Sequence, residues 1–291
     1  MPVTTDAASR GGVQITVLAD NTADLPFVSE HGFAAVIDIC GEHTHRILFD
    51  TGRGALFANA PAAGVDLNLC EALVLSHGHY DHTDALPEFM ARYPRARIHA
   101  STGIFRHHYS KRTGTCRFIG LSPESRIAIL APESTYVPFS GNTSICAGRV
   151  SLADNIPRNH PLETPSPLLF EDEACTVSDT VPDELVLWTD TPDGLVIVTG
   201  CCHAGFMNTV NFVKSFVPDR PVALVAGGFH LAGVAAERIE ATAAFIREQG
   251  IRRVAAFHCT GDDETRRLAE LTGGIVEAGH CGTVLTVGCA V

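Results

Sequence analysis

The chain has 291 residues, 45% of them hydrophobic, which is enough to bury the core of one large domain or two small ones. Its formal net charge of −12, from 21 basic and 33 acidic side chains, argues against a general grip on nucleic acid, which needs clustered lysine and arginine. No apolar run reaches the ~18 residues of a membrane span and no charged, then apolar, leader precedes the first strand, so a cytoplasmic protein is expected, with a small-molecule substrate, no membrane partner and homo-oligomers still allowed.

Residues 1–11 are small and polar and predict a frayed start. The first strand, Gln14–Leu18, runs into Ala19-Asp20-Asn21-Thr22. Asn21 is a candidate substrate contact at the rim of a site, although Asp and Asn side chains there also suit a self-capped turn. An antiparallel pair follows, Phe33–Ile39 and His45–Phe49, joined through Gly41-Glu42. Its second strand runs into Asp50-Thr51-Gly52, where Asp50 can cap a helix expected over Arg53–Ala63.

The apolar run Ala72–Leu75 reads as a short buried strand that stops at Ser76 and Gly78. An amphipathic helix then opens near Asp81, with Leu86, Phe89 and Met90 on one face. Between them stand His77, His79, Asp81 and His82, four metal-capable side chains at the carboxyl end of a strand, where open α/β sheets place their ligands. Being two apart in extended backbone, His77 and His79 project to the same side and can grip one ion. Asp81 and His82, on the helical turn, point at a neighbouring position. Neutral imidazole and carboxylate suit zinc first, and also iron or manganese.

Arg97–Ala100 supplies another strand, and from 103 to 184 the pattern weakens. That stretch holds Phe105-Arg106-His107-His108-Tyr109-Ser110-Lys111-Arg112, the most basic patch of the chain, and then a segment rich in Pro, Ser and Thr. The strands Glu184–Thr189 and Leu195–Thr199 flank Pro192-Asp193-Gly194, a turn signal. The second of them leads to His203, where strand gives way to a helix containing Asn208 and Val210. Val222–Ala226 ends in Gly227-Gly228-Phe229-His230, and after a helix over Ala235–Gln249 the strand Val254–Phe257 ends in His258. A helix over Asp263–Thr272 and a strand over Thr283–Val287 close the chain, with His280 between them as a structural histidine. The 10 cysteines are scattered without a Cys-x-x-Cys pair and read as reduced, mostly buried small residues.

The run His-x-His-x-Asp-His over 77–82 resembles the hallmark of the metallo-β-lactamase superfamily, and the likeness extends from about residue 14 to 287. The resemblance implies an α/β fold, a four-layer αββα sandwich forming a single domain over 12–291, with two divalent metal ions between the sheets and a substrate cap inserted around 103–183. It implies that Asp50 orients the metal-binding loop, that His203 completes a three-histidine set with His77 and His79, and that His258 joins Asp81 and His82 at a second ion. His107, His108, Lys111 and Arg112 become candidates for holding a phosphate or carboxylate. In one respect the chain departs from the family, because Gly228 stands where an aspartate usually bridges the metals. His230, two residues on, can replace that ligand or contact substrate. The runs 198–210, 227–231 and 258–261 are similar to the branch typified by archaeal dihydropterin-aminobenzene ribofuranosyl phosphate synthase.

The function implied first is a metal-dependent hydrolase that activates water as hydroxide for attack on a small, anionic phosphate or carboxyl ester, with Asp81 both holding metal and orienting the nucleophile. The branch implies an alternative, a synthase joining an arylamine ribose phosphate to a pterin pyrophosphate. Gly228 keeps open a third, a metal-binding regulatory protein with little turnover. Flavin-linked reduction would need an appended domain for which the chain has no room, and RNA processing is disfavoured by the acidity.

Overall fold

A computed structural model describes residues 11–289, so most of the frayed start expected over 1–11 lies outside the described residues. The first half runs β1 (Val13–Ala19), β2 (Ala34–Ile39), β3 (His45–Phe49), α1 (Ala55–Ala62), β4 (Cys70–Val74), α2 (Tyr80–Thr83), α3 (Leu86–Arg92) and β5 (Arg97–Ser101). A middle stretch adds β6 (Tyr109–Ser110), β7 (Arg117–Phe118), α4 (Pro123–Leu130), β8 (Tyr136–Phe139), β9 (Asn142–Ile145), β10 (Val150–Ala153) and β11 (Leu169–Phe170). The second half is β12 (Val186–Thr191), β13 (Gly194–Thr199), α5 (Phe206–Phe216), β14 (Val222–Gly228), α6 (Ala236–Glu248), β15 (Val254–Phe257), α7 (Asp262–Thr272), β16 (Val276–Ala278) and β17 (Val284–Val287).

Two seven-stranded sheets carry the fold, in the orders β17-β1-β2-β3-β4-β5-β8 and β16-β15-β14-β13-β12-β10-β9. Their strands are apolar on both faces because each sheet lies between its partner sheet and a helix layer, and the period-two alternation sorts the side chains between the two. In the first sheet Ile37, Ile47, Phe49 and Val74 point into the core shared with Leu187, Val198, Leu224 and Phe257 of the second. Their neighbours Val36, Leu48 and Leu73 face Leu56, Leu86 and Phe89 of the helices instead. Across the molecule Ile197, Val225 and Val254 face Phe206, Val213, Ile239 and Leu268. The result is the expected αββα sandwich. None of the helices among the described residues is long and apolar enough to cross a membrane.

Residues 103–183 do not form one cap insertion. β8 pairs with β5 at the edge of the first sheet, and β9 and β10 extend the second beyond β12. Leu121 and Ile129, around and within α4, are buried in the first helix layer. What stands apart is a small third sheet, β11-β6-β7, with the loops around it. A Cys116–Cys175 disulfide ties these loops together, which corrects the expectation of uniformly reduced cysteines. The other eight among the described residues are free thiols.

Candidate metal centre

The site is built at the carboxyl ends of β1, β3, β4, β13, β14 and β15, where parallel and mixed sheets present their loops. Asp50, fully buried at the end of β3, has a φ of 58°, a left-handed conformation that a non-glycine residue adopts only when its surroundings hold it. Its Oδ1 accepts from the Ser76 backbone N–H at 2.6 Å. Its Oδ2 accepts from Ser76 Oγ at 2.6 Å and lies 2.7 Å from His82 Nδ1. Since the Ser76 proton goes to the carboxylate, Ser76 Oγ is left to accept from His77 Nδ1, 2.8 Å away. One carboxylate thus sets the tautomer of two histidines, turning the Nε2 lone pairs of His77 and His82 inward.

His77, His79 and His203 each offer a ring nitrogen to one space, with these atoms within 4.8 Å of one another. His79 Nε2 and His203 Nε2 are buried without any hydrogen-bond partner. A buried lone pair with no donor is costly unless a ligand meets it, and His79 also sets its Nδ1 2.9 Å from His77 Nε2. Burial, and then the neighbouring histidines, push all three rings well below the ordinary histidine range, so they are neutral, as metal ligation requires. The residues present therefore fit a cation.

At the other pole Asp81 Oδ2 lies 3.3 Å from His258 Nε2 and 3.2 Å from His31 Nε2. Burial alone would raise the Asp81 carboxyl, but its bonds to His258 and His31 hold it well below the usual carboxylate range. Burial opposes charge on His258, yet the bond to Asp81 outweighs it and lifts the ring to about 9. His82, expected beside them, turns its Nε2 towards Cys201 Sγ at 3.2 Å, with its ring 5.1 Å from that of His258.

The remaining candidates divide. Asn21 lies at the rim but serves His258, receiving its Nδ1 at 3.0 Å and donating to its carbonyl at 3.0 Å, so its side-chain groups are spent on orienting that ring. His108 does not face an anion from solvent. It is buried between Asp179, 2.6 Å from its Nδ1, and Asp183, 3.2 Å from its Nε2, and Asp183 in turn accepts from Gly78 N at 2.8 Å. These carboxylates overcome burial and raise His108 to about 10, making a charged clamp between the small third sheet and the His-x-His loop. His107 and Lys111 are exposed. Of the four basic-patch candidates only Arg112 lines a cavity of about 600 Å³ that opens beside His203 and His230 and is also walled by Arg158 and Arg238. His230 packs its ring 4.4 Å from that of His203 and leaves Nδ1 buried and unpartnered.

Several participants carried no sequence signal of their own. His31 comes from the loop between β1 and β2, and Cys201 and Cys259 sit beside expected ligands but read as filler. Glu184 is buried behind the site, accepting from His203 N at 2.6 Å and Ala204 N at 2.7 Å, and burial raises it to about 7.

The sequence profile of the metallo-beta-lactamase superfamily matches residues 30–177, half of the chain. The chain belongs to that superfamily. Two proteins of Methanocaldococcus jannaschii are similar to this superfamily member along nearly their whole lengths. An uncharacterized protein is 27% identical over 283 residues, 94% of this chain and all of its own. The other, 7,8-dihydropterin-6-methyl-4-(beta-D-ribofuranosyl)-aminobenzene-5'-phosphate synthase, is 26% identical over 291 aligned positions, 94% of this chain and 96% of its own. Among solved structures, a metal-dependent hydrolase of the beta-lactamase superfamily superposes with a TM-score of 0.80 at 26% identity, covering 95% of this chain and 99% of that one.

Proposed function

We propose that this superfamily member is a metal-dependent hydrolase with a dinuclear centre, acting on a small anionic molecule. The observation that carries the reading is the convergence of one buried ring nitrogen from each of His77, His79 and His203 within 4.8 Å of one another, with His203 Nε2 unpartnered. His77, His79 and His203 would hold one ion, with His82, Asp81 and His258 around the second. Divalent cations there, zinc first by the donor set, supply a water acidified to near neutrality and a polarised carbonyl or phosphoryl centre.

The chain's own groups set up the rest. Asp50 and Ser76 fix the His77 and His82 rings, and Asn21 fixes His258. Asp81, kept ionised by His258 and His31, is placed to accept a hydrogen bond from an attacking water and aim it. Arg112 and Arg238 wall the adjoining cavity and offer donors to a phosphate or carboxylate, while Arg158, also in its wall, donates to the His203 and Thr180 carbonyls. With a net charge of −12 over the whole chain, nucleic acid is not the partner proposed.

Metal analysis paired with hydrolysis assays on phosphodiesters, phosphomonoesters, thioesters and lactones tests the reading. Two equivalents of metal and turnover of at least one class are expected. A metal-replete preparation inert to all four refutes it. A second reading, a synthase condensing an arylamine ribose phosphate with a pterin pyrophosphate, is favoured by likeness to the archaeal synthase over nearly all of its length. Pyrophosphate release that depends on the arylamine would establish that reading instead.

A further inference from the structure

The carboxylate that the superfamily resemblance implies at the end of β14 is absent, and the geometry explains why one has no room. A Cβ placed on Gly228 would lie 2.5 Å from the Gly200 carbonyl oxygen and 2.7 Å from Cys259 Sγ. Both are closer than real Cβ atoms come, so the space is already held by backbone and by sulfur. Cys259 Sγ also accepts from His230 N at 3.3 Å and lies 3.5 Å from the Cys201 carbonyl oxygen.

Cys201, His230 and Cys259, from the ends of β13, β14 and β15, offer donor atoms that all lie within 4.8 Å of one another. Cys201 belongs as well to the group His77, His82 and Cys201, so the sulfur cluster is continuous with the histidine centre. His230 Nδ1 is buried with nothing bonded to it. His230, in the cluster, and His258, next to Cys259 in the chain, have φ of 47° and 51°, a backbone strain that persists only where the surroundings over-determine it.

We infer that Cys259, with Cys201 and His230, forms a thiolate pole of the metal centre in place of the carboxylate missing at 228. The inference rests on the metal-centre reading above and adds its ligand chemistry. On metal binding the Cys259 S–H bond breaks heterolytically, the proton leaves to solvent and the sulfur lone pair bonds the cation. A thiolate restores the negative charge that glycine cannot supply, and it shifts selectivity towards zinc or cobalt and away from manganese. Tetrahedral zinc, with sulfur at about 2.3 Å and nitrogen at about 2.0 Å, sets its donors about 3.5 Å apart, so the three groups need to close by little more than about 1 Å.

The full chain, freed of metal and kept anaerobic, is titrated with cobalt(II) and followed by absorption. Visible d–d bands report occupancy, and a near-ultraviolet sulfur-to-cobalt charge-transfer band reports thiolate ligation. Wild type is expected to show both. Cys259→Ser is expected to keep the d–d bands and lose more than half of the charge-transfer intensity, whereas Cys70→Ser, in β4, retains all of it. Strong d–d bands without charge transfer in wild type, or full charge transfer in Cys259→Ser, overturns the thiolate pole while leaving the metal centre standing. No d–d bands at all overturns the metal-centre reading, and this inference with it. If far-ultraviolet circular dichroism shows Cys259→Ser unfolded, X-ray absorption of zinc-loaded wild type decides. A sulfur shell at about 2.3 Å supports the inference, and a shell of nitrogen and oxygen alone overturns it.

Discussion

Replacing Asp50 with Asn isolates the role of one buried carboxylate without changing its size. Oδ1 can still accept from the Ser76 backbone, but the new amide nitrogen faces Ser76 Oγ and His82 Nδ1, two groups that had donated to Oδ2. Ser76 Oγ can accept from that amide only by turning its own proton to His77 Nδ1, which moves the His77 proton to Nε2, while His82 Nδ1–H meets a donor and must either leave or carry its proton on Nε2. Each hydrogen bond to a charged group contributes about 1.5–3 kcal/mol, and with the two Oδ2 contacts disrupted the metal-free protein should lose about 3–6 kcal/mol. Metal affinity should fall about 10–100-fold, the usual effect of removing a group that orients a ligand. Urea unfolding of the metal-free protein gives the first quantity and zinc titration against a chromophoric chelator the second. Unchanged zinc affinity in a folded Asp50→Asn protein would refute the claim that Asp50 sets the tautomers.

Three further outcomes follow from the same geometry. His79→Ala removes a buried, unpartnered nitrogen and should abolish bound metal and activity while far-ultraviolet circular dichroism stays near wild type; unchanged metal content in that variant would count against the three-histidine set. His108→Gln leaves Asp179 and Asp183 buried without their cation and should cost about 3–5 kcal/mol at neutral pH. Because His108 is raised to about 10 from an ordinary value near 6.5, its contribution is complete below about pH 6.5 and is lost as pH climbs through about 10, so the gap in unfolding free energy between wild type and variant should narrow over that window; a gap independent of pH rules out the charged clamp. Arg238→Ala should raise KM for an anionic substrate about 10-fold or more with little change in kcat, whereas a fall in kcat at constant KM would place Arg238 elsewhere in the reaction.

Much of the architecture was legible because its signals are local. Apolar runs of four to seven residues ending in turn signals marked the strands, and their alternation carries which side chains face which layer. The strands β8, β9 and β10 escaped because they are short and lack a continuous apolar run, and β8 and β9 are the edges of their sheets. β8 contains Pro138, with Val137 and Pro138 exposed, so nothing in its composition separates it from loop.

The site divides in the same way. His77, His79, His203 and His258 announced themselves as donors at strand ends, a pattern contained in about ten residues of chain. Asp50 reaches Ser76 and His82 across 26 and 32 positions, and Cys259 approaches Cys201 across 58. His108 meets Asp179 across 71, and His31 reaches Asp81 from a loop with no periodicity. By itself the sequence determined where strands stop and which ligand-type side chains follow them, since backbone propensity and side-chain alternation act over a few residues. Only the tertiary structure decided which groups share a proton, which are buried without a partner and what fills the space at Gly228. Those properties depend on distances between strand ends remote in sequence and on the exclusion of water once the two sheets have packed.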